Sequence, residues 1–571
     1  MQLCRAFIVL LGFSMLLAAC APAPGRQATT TSGGTQSTAP GTPTRVVAVI
    51  RGTLPILYNK IGVGATYSGL EYVERLVNAG LADADASGAA QPTLAEAVPS
   101  LENGLWKVFA DGRMETTWKL RPGVHWHDGT PLTSADLVFT GRVERDKTLG
   151  WNYNLSYDSV DEIVAPDPST VTVIWKKPYV EADHLFSPQP GAQQWGLPLP
   201  AHILEKAFDE NRAGFLELPY WGPEFVGSGP FKLQQMVADD RLNLVAFDGY
   251  ALGRPKIDEL IVRFIPDSNT ITASFLAGEL DLTVDARALS FEEGRSLRDQ
   301  WAGGRMELGV GGVVWAQAQF LTPNPAAVAD VRFRRALLQA VDRQEMADTI
   351  QGGLASVAHT AIGPDQPEWR YVESSVIKYD YNPRRAVQDL QEIGFSRGPD
   401  GLIRNSVGEH PTVEVRATVT QINTKAALAL ADYWQRIGLG TEPVLIPLQR
   451  QTDLEYMVTF GGFLVLRGTR LGLQPFLMYH SSRSALPEKG FAGINRSRYQ
   501  NAEYDALMDR FVVTIPFDER MQVLGQIVHH ETDQLPTMRL IYDPEPTMVS
   551  NRLKNVPAAT PSNIEKWEVS N

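Results

Sequence analysis

The hydrophobic pattern predicts a mixture of single strands and longer helices. Arg45 to Ile50 (RVVAVI) is a short β-branched apolar run of the kind a buried strand carries. Thr116 to Leu120, Thr170 to Trp175 and Leu260 to Ile265 read the same way, whereas Thr66 to Ala79 spaces its apolar residues at helical intervals. Strong helical periodicity covers Asp330 to Ala340, Arg384 to Ile393, Thr424 to Ile437 and Asp518 to Asp533. Helices alternating with single strands, with no fixed-period repeat, predict an α/β or α+β body rather than a solenoid.

Local punctuation supports these elements. Thr133-Ser134-Ala135-Asp136 precedes LVFTGRV and fits a capping box, in which the threonine hydroxyl takes an orphan amide and Asp136 reaches back. Asp342 to Glu345 repeats that logic, and Asp505 is a candidate cap for a shorter helix. Asp128-Gly129 supplies a turn ahead of the capped helix.

The N-terminus follows another rule. Ala6 to Ala19 is an apolar run after Arg5, too short for a span of about 20 residues but suited to a signal h-region. It closes on Leu17-Ala18-Ala19-Cys20, which resembles a bacterial lipobox: residues 1–19 form a signal peptide and Cys20 is lipidated after cleavage. The stretch that follows has Arg26 as its one charge and no large apolar residue, so residues 20–44 read as a lipid-anchored flexible tether.

Composition narrows the classes. A chain of 571 residues exceeds the roughly 250–300 that one core supports, so two or more domains are expected. With 65 acidic against 52 basic residues and a net charge of −13, nothing basic is left over for nucleic acid. Two cysteines exclude a disulfide scaffold and a thiolate zinc site. No cofactor is implied.

Competing chemistry is thin. Gly394-Phe395-Ser396-Arg397-Gly398 satisfies a hydrolase pattern, but a helix precedes it and a loop follows, the reverse of a nucleophile elbow. Gly227-Ser228-Gly229-Pro230 lacks the lysine and helix of a phosphate loop and reads as a turn into a strand. His125 and His127 alternate along one strand and His529-His530 lie on a helix, yet neither stretch carries the remaining ligands of a metal site. No metal is assigned.

Residues 117–139, TWKLRPGVHWHDGTPLTSADLVF, resemble the signature of the family 5 extracellular solute-binding proteins, the dipeptide, oligopeptide and nickel-type receptors of bacterial ABC importers. Four further blocks agree in order: Val226 to Leu233, Ala277 to Asp281, Val331 to Asp342, and Tyr381 to Phe395. The resemblance runs from about Arg45 to Trp567. It implies a non-enzymatic, monomeric receptor with a two-lobed periplasmic-binding-protein-like fold of type II, an extended first lobe and a hinge crossed twice. The first crossing is expected near Ile265 to Asn269 and the return near Leu540 to Asp543. Lobe I is then residues 45–265 plus 541–571, and lobe II is residues 266–540. The implied partners are a small-molecule or peptide ligand, an ABC permease and ATPase complex, and the membrane that holds the lipid anchor outside the cytoplasm. A receptor that signals to a membrane partner is the alternative; a secreted hydrolase rests on Ser396 alone.

Peptide receptors of the family hold the ligand's α-amine with an aspartate in a segment resembling Gly-Gly-Trp-x-x-Asp-Tyr. The matching stretch, Gly461 to Arg470, begins Gly-Gly-Phe463, lacks the aspartate and carries Arg467 and Arg470. Arginine suits a carboxylate or phosphate, so the two are either anion ligands or surface residues of a shifted loop. Aromatics add candidates: Tyr58 after the first strand, Trp151 and Tyr153 after the capped helix, and Trp315 with Gln317 on the same strand face. Tryptophans in a protein of this size are more often core than ligand contacts.

Overall fold

The run at Arg45–Ile50 lies inside a ten-stranded mixed sheet, hydrogen-bonded in parallel to Glu259–Phe264. A computed structural model describes residues 43–61, 67–85, 89–151, 154–188, 196–558 and 562–570, all within the unit that begins at Pro43. The signal segment, Cys20, nearly all of the tether and Tyr153 lie outside the described residues.

In chain order the sheet contains β1 (Arg45–Ile50), β2 (Phe231–Val237), β3 (Arg241–Ala246), β4 (Glu259–Phe264), β5 (Leu282–Thr283) and β6 (Gly304–Ala318). It continues with β7 (Thr412–Thr418), β8 (Gly440–Ile446), β9 (Phe463–Thr469) and β10 (Thr537–Ser550). The spatial order is β8-β7-β9-β6-β10-β5-β1-β4-β3-β2. The helices used below are α1 (Leu70–Val77), α2 (Ser134–Glu144), α3 (Ser268–Leu276), α4 (Phe291–Gln300) and α5 (Val331–Gln339). They are followed by α6 (Arg343–Gln351), α7 (Pro383–Glu392), α8 (Gln421–Arg436), α9 (Ala502–Val513) and α10 (Phe517–Gln534).

Two long central strands organise everything else. The antiparallel pair β6 and β10 runs from Gly304↔Ser550 to Gln317↔Thr537. At one end β10 bonds β5 through Val549, and at the other β6 bonds β9 over Gly312 to Ala318. One ladder thus belongs to two halves of the molecule. Its register breaks between Gly309 and Gly312, a bulge at the point where the neighbours change. Glycine is required there: a Cβ on Gly311 would sit 1.9 Å from the Asp543 carbonyl oxygen, and one on Gly312 2.6 Å from Arg467 Nε.

Each half has its own core. β1 is buried on both faces, as a parallel strand should be. Val46, Ala48 and Ile50 pack with Leu70, Val73 and Leu76 of α1, while Val49 packs with Phe275 of α3, Leu297 of α4 and Met548 of β10. Fully burying each such side chain is worth about 1.5–3 kcal/mol. Residues 268–301 therefore pack on the first core, where the sequence reading grouped them with the second lobe. A separate four-stranded antiparallel sheet adds Trp118 and Trp175 beneath α2, whose Thr133–Asp136 capping box forms in full. The second core sets Val314, Ala316, Val415 and Val465 against Phe333 and Leu337 of α5 and Trp434 of α8. The opposite sheet face packs Val313 and Trp315 against α9 and α10. Asn501, rather than Asp505, caps α9 by accepting the Tyr504 amide.

Candidate ligand cleft

The two halves meet where Val180, beside the small sheet, donates its amide to the Val512 carbonyl oxygen of α9 at 2.8 Å. Next to that contact lies a cleft of about 220 Å³. Glu181, Asp183 and His184 line it from the first half; Gln366, Arg470 and Leu473, with Phe517 and Arg520 of α10, line it from the second. A second hollow of about 190 Å³ lies on the central strands, bounded by Gly309, Gly312, Asp365, Arg470 and Tyr542. Arg470 lines both. A larger hollow, about 500 Å³, lies elsewhere, among Arg75, Asp83, Tyr250 and Glu565. These residues belong to the first half, so a movement between halves does not gate it.

Electrostatics in the cleft are mixed. Burial opposes a charge on His184, but Asp183, 2.7 Å from Nδ1, and Glu181 outweigh it and raise the imidazole pKa to about 9. His184 therefore adds a cation to Arg470 and Arg520, facing Glu181, Asp183, Asp365 and Glu368.

The two arginines of β9 and its end point to opposite sheet faces, as an odd spacing along an extended chain requires. Arg467 lies over Gly312 and reaches β10, with Nε 2.9 Å from Asp543 Oδ2 and a second nitrogen on Glu545. Burial pushes the Asp543 carboxyl up against the pull of Arg467. Burial likewise works against the Arg467 charge, but Glu545 and Asp543 outweigh it and raise its pKa. Gln351 of α6 donates to Asp543, and the Tyr72 hydroxyl of α1 donates to Glu545 at 3.4 Å. This network ties both halves to the central strand. Arg470 faces the cleft, paired with Asp365 and stacked 4.4 Å over the Tyr542 ring.

The remaining sequence candidates are dispersed. Trp315 is 6% exposed, with the Arg539 guanidinium 5.0 Å from its ring and Gly468 packed against it. Gln317 is fully buried, with neither amide atom partnered among the described residues. Phe463 is core, 5.1 Å from Trp434. Tyr58 and Trp151 stack on each other at 6.2 Å inside the first core, where the Tyr58 hydroxyl donates to the Leu197 carbonyl. Beside them is the buried Lys60–Glu144 ion pair, at 2.9 Å. Tyr58, Trp151, Gln317 and Phe463 line neither hollow, because their own neighbours already occupy their faces. Asp365, Tyr542 and the Asp183–His184 pair had no signal in the sequence, since they sit in loops or on a strand with no clear period.

Ser396 lies on a two-residue strand of a small ribbon after α7, exposed and without a following helix. His127 is buried, bonded to Gly229 and Gly227, with its pKa lowered to about 4 by burial. Among the described residues no group of histidine, cysteine and carboxylates could hold a metal, and no helix is long and apolar enough to cross a membrane.

A mixed sheet whose long central strands serve two cores, with a cleft lined from both, defines a two-lobed binding-protein fold. The pattern of the bacterial extracellular solute-binding proteins, family 5, matches residues 91–465, and the chain belongs to that family. Its members are solute-binding proteins, not enzymes. The oligopeptide-binding protein AppA of Bacillus subtilis is 23% identical over 521 residues, 90% of this chain and 89% of that one. A structure of AppA in complex with a nonapeptide matches with a TM-score of 0.69 at 20% identity, covering 93% of this chain and all of that one. NikA from Brucella suis, solved with Fe(III)-EDTA, matches at 0.71 and 17% identity over 92% of this chain and 100% of its own. A Brucella ovis protein named as an ABC transporter peptide-binding protein is 28% identical over 282 residues, 48% of each chain. The chain thus spans about half the length of that relative.

Proposed function

We propose that this chain is the receptor of an ABC importer, capturing a peptide-like or other small polar solute between its lobes and handing it to a membrane permease. The observation that carries the reading is the shared β6–β10 ladder, with its glycine-rich register break beside a cleft lined from both halves. Closure then works by differential binding: a solute that touches both lobes stabilises the closed form by contacts the open form lacks. In this reading the hinge lies at Gly309–Gly312 and Asp543–Glu545, about 40 residues later at its first crossing than sequence reasoning placed it. Lobe II then begins near Gly312, and residues 266–309 join lobe I. The cleft of about 220 Å³ is below the roughly 300–1,000 Å³ of drug-sized pockets, which favours a solute of one or a few residues over the nonapeptide that AppA holds. Cys20 anchors the chain by lipid and residues 20–44 give it reach above the membrane. Native mass spectrometry of the purified protein, paired with small-angle scattering before and after solute removal, tests the receptor reading. A co-purifying small solute whose removal expands the particle is expected. Protein that carries no solute and keeps one radius of gyration would sink it.

A further inference from the structure

We propose that Arg470 is the seat for a carboxylate of the solute, and that Asp365 occupies this seat as an internal stand-in when no solute is bound. The inference rests on the cleft being the solute site and adds the chemical class that the cleft selects.

Arg470 is 3% exposed, yet its one side-chain hydrogen bond among the described residues runs from a terminal nitrogen to Asp365. Its Nε is buried without a partner. A guanidinium carries five N–H donors, and leaving buried donors unspent costs about 1–3 kcal/mol each. Arg467, three residues away, spends its donors on two carboxylates that are 14% and 13% exposed. Arg470 has been given a different arrangement. Its plane is fixed by the Tyr542 ring, whose hydroxyl donates to the carbonyls of Thr360 and Ile362. The loop from Thr360 to Gln366 wraps it closely: a Cβ on Gly363 would lie 2.6 Å from an Arg470 terminal nitrogen, and Gln366 donates to the Arg470 carbonyl at 3.3 Å. The head group is held rigid in the wall between two hollows, both of which it lines.

Asp365 is the weak member of the pair. Its side chain is 48% exposed, so its hold on Arg470 is screened and easily exchanged. The stand-in is itself a planar carboxylate, the partner a guanidinium fork binds with two parallel hydrogen bonds. His184 and Arg520 line the same cleft and favour the same sign of charge; Glu181 and Glu368 oppose it and would suit an ammonium elsewhere on a zwitterion. The carboxylate is either the C-terminus of a short peptide or part of a free organic acid.

Thermal shift titrations with dialanine, dialanine amide, succinate and inorganic phosphate test this on the full chain, on D365N and on R470A. D365N empties the seat, so dialanine or succinate should bind it roughly tenfold tighter than the unaltered chain. R470A should lose the response. A shift with dialanine but not its amide assigns a peptide terminus; a shift with succinate alone assigns an organic acid. If R470A does not fold, R470K keeps the charge without the fork and should still weaken the response. No carboxylate-dependent shift in D365N, an unchanged shift in the Arg470 variants, an equal shift with the amide, or a larger one with phosphate overturns the proposal. Native mass spectrometry separates the two readings: a co-purified neutral solute leaves the receptor standing and removes only the carboxylate seat.

Discussion

Arg467 and Arg470 lie three residues apart, and their surroundings assign them different work. Arg467 is enclosed by Asp543, Glu545, Gln351 and the glycine that makes room for it, all bearing on the central strands. Arg470 is the more buried of the two, 3% exposed against 19%, yet it holds one half-exposed carboxylate and lines two hollows. Burial does not separate structural from functional arginines here. The number of donors already spent does.

Removing Arg467 is the severest test of that contrast. Arg467→Ala leaves Asp543 and Glu545 buried without their cation, a loss of about 3–5 kcal/mol by denaturant unfolding. Arg470→Ala strands no comparably buried acid, so its loss should be clearly smaller. Equal losses would falsify the division between the two sites.

The cleft wall is tested by pH. The folded-state pKa of His184 is raised from 6.5 to about 9, so its stabilising contribution is complete below pH 6.5 and disappears as pH climbs through 9. With its side chain 22% exposed, the loss is on the order of 2–3 kcal/mol. His184→Gln should flatten the fall in stability between pH 6.5 and 9.5. A variant that keeps the same slope assigns the titration to another group.

Much of the fold was legible, and the long central strands were not. Arg45–Ile50 and Thr170–Trp175 were read with their observed boundaries because both are short runs rich in β-branched residues. The β6 strand escaped as a continuous element because Arg305, Glu307 and Gly309 interrupt its pattern, and β10 carries Pro544 and Pro546. Those are the positions where one sheet passes between two cores, so no single burial pattern runs through them. It also bears on where the first crossing is proposed: α3 and α4 look like the start of a new domain, but their partners Val49 and Met548 are remote in sequence. For the site, the arginines were visible as residue types and their opposite faces follow from strand alternation. Their partners, 76 to 105 residues away, were not.

Gly312 sharpens the comparison at the next level of effect. A methyl group there would press on the Arg467 guanidinium, so Gly312→Ala should cost about 1–3 kcal/mol by overpacking. Combined with Arg467→Ala, only part of the penalty should vanish, because the guanidinium is gone while the Gly468 carbonyl oxygen, also 2.6 Å from that Cβ, remains. A double-mutant cycle reads this as a coupling energy; strict additivity would mean that Gly312 serves the bulge alone.

The smallest effect carries the most information about function. Asp365→Asn breaks the pair with Arg470 but exposes nothing that was dry, because Asp365 is already half in water. The lost charge is half in water and asparagine keeps an acceptor for the buried Arg470 nitrogen, so unfolding stability should change by only about 1 kcal/mol. Asp543→Asn, the matching change at the other arginine, should be several times costlier, since Asp543 is 14% exposed and is bonded by both Arg467 and Gln351. A carboxylate whose removal barely touches stability while a buried cation waits beside it is not there to hold the fold together. If Asp365→Asn instead destabilises as strongly as Asp543→Asn, Arg470 is a second structural pair, and the cleft must recognise its solute with other groups.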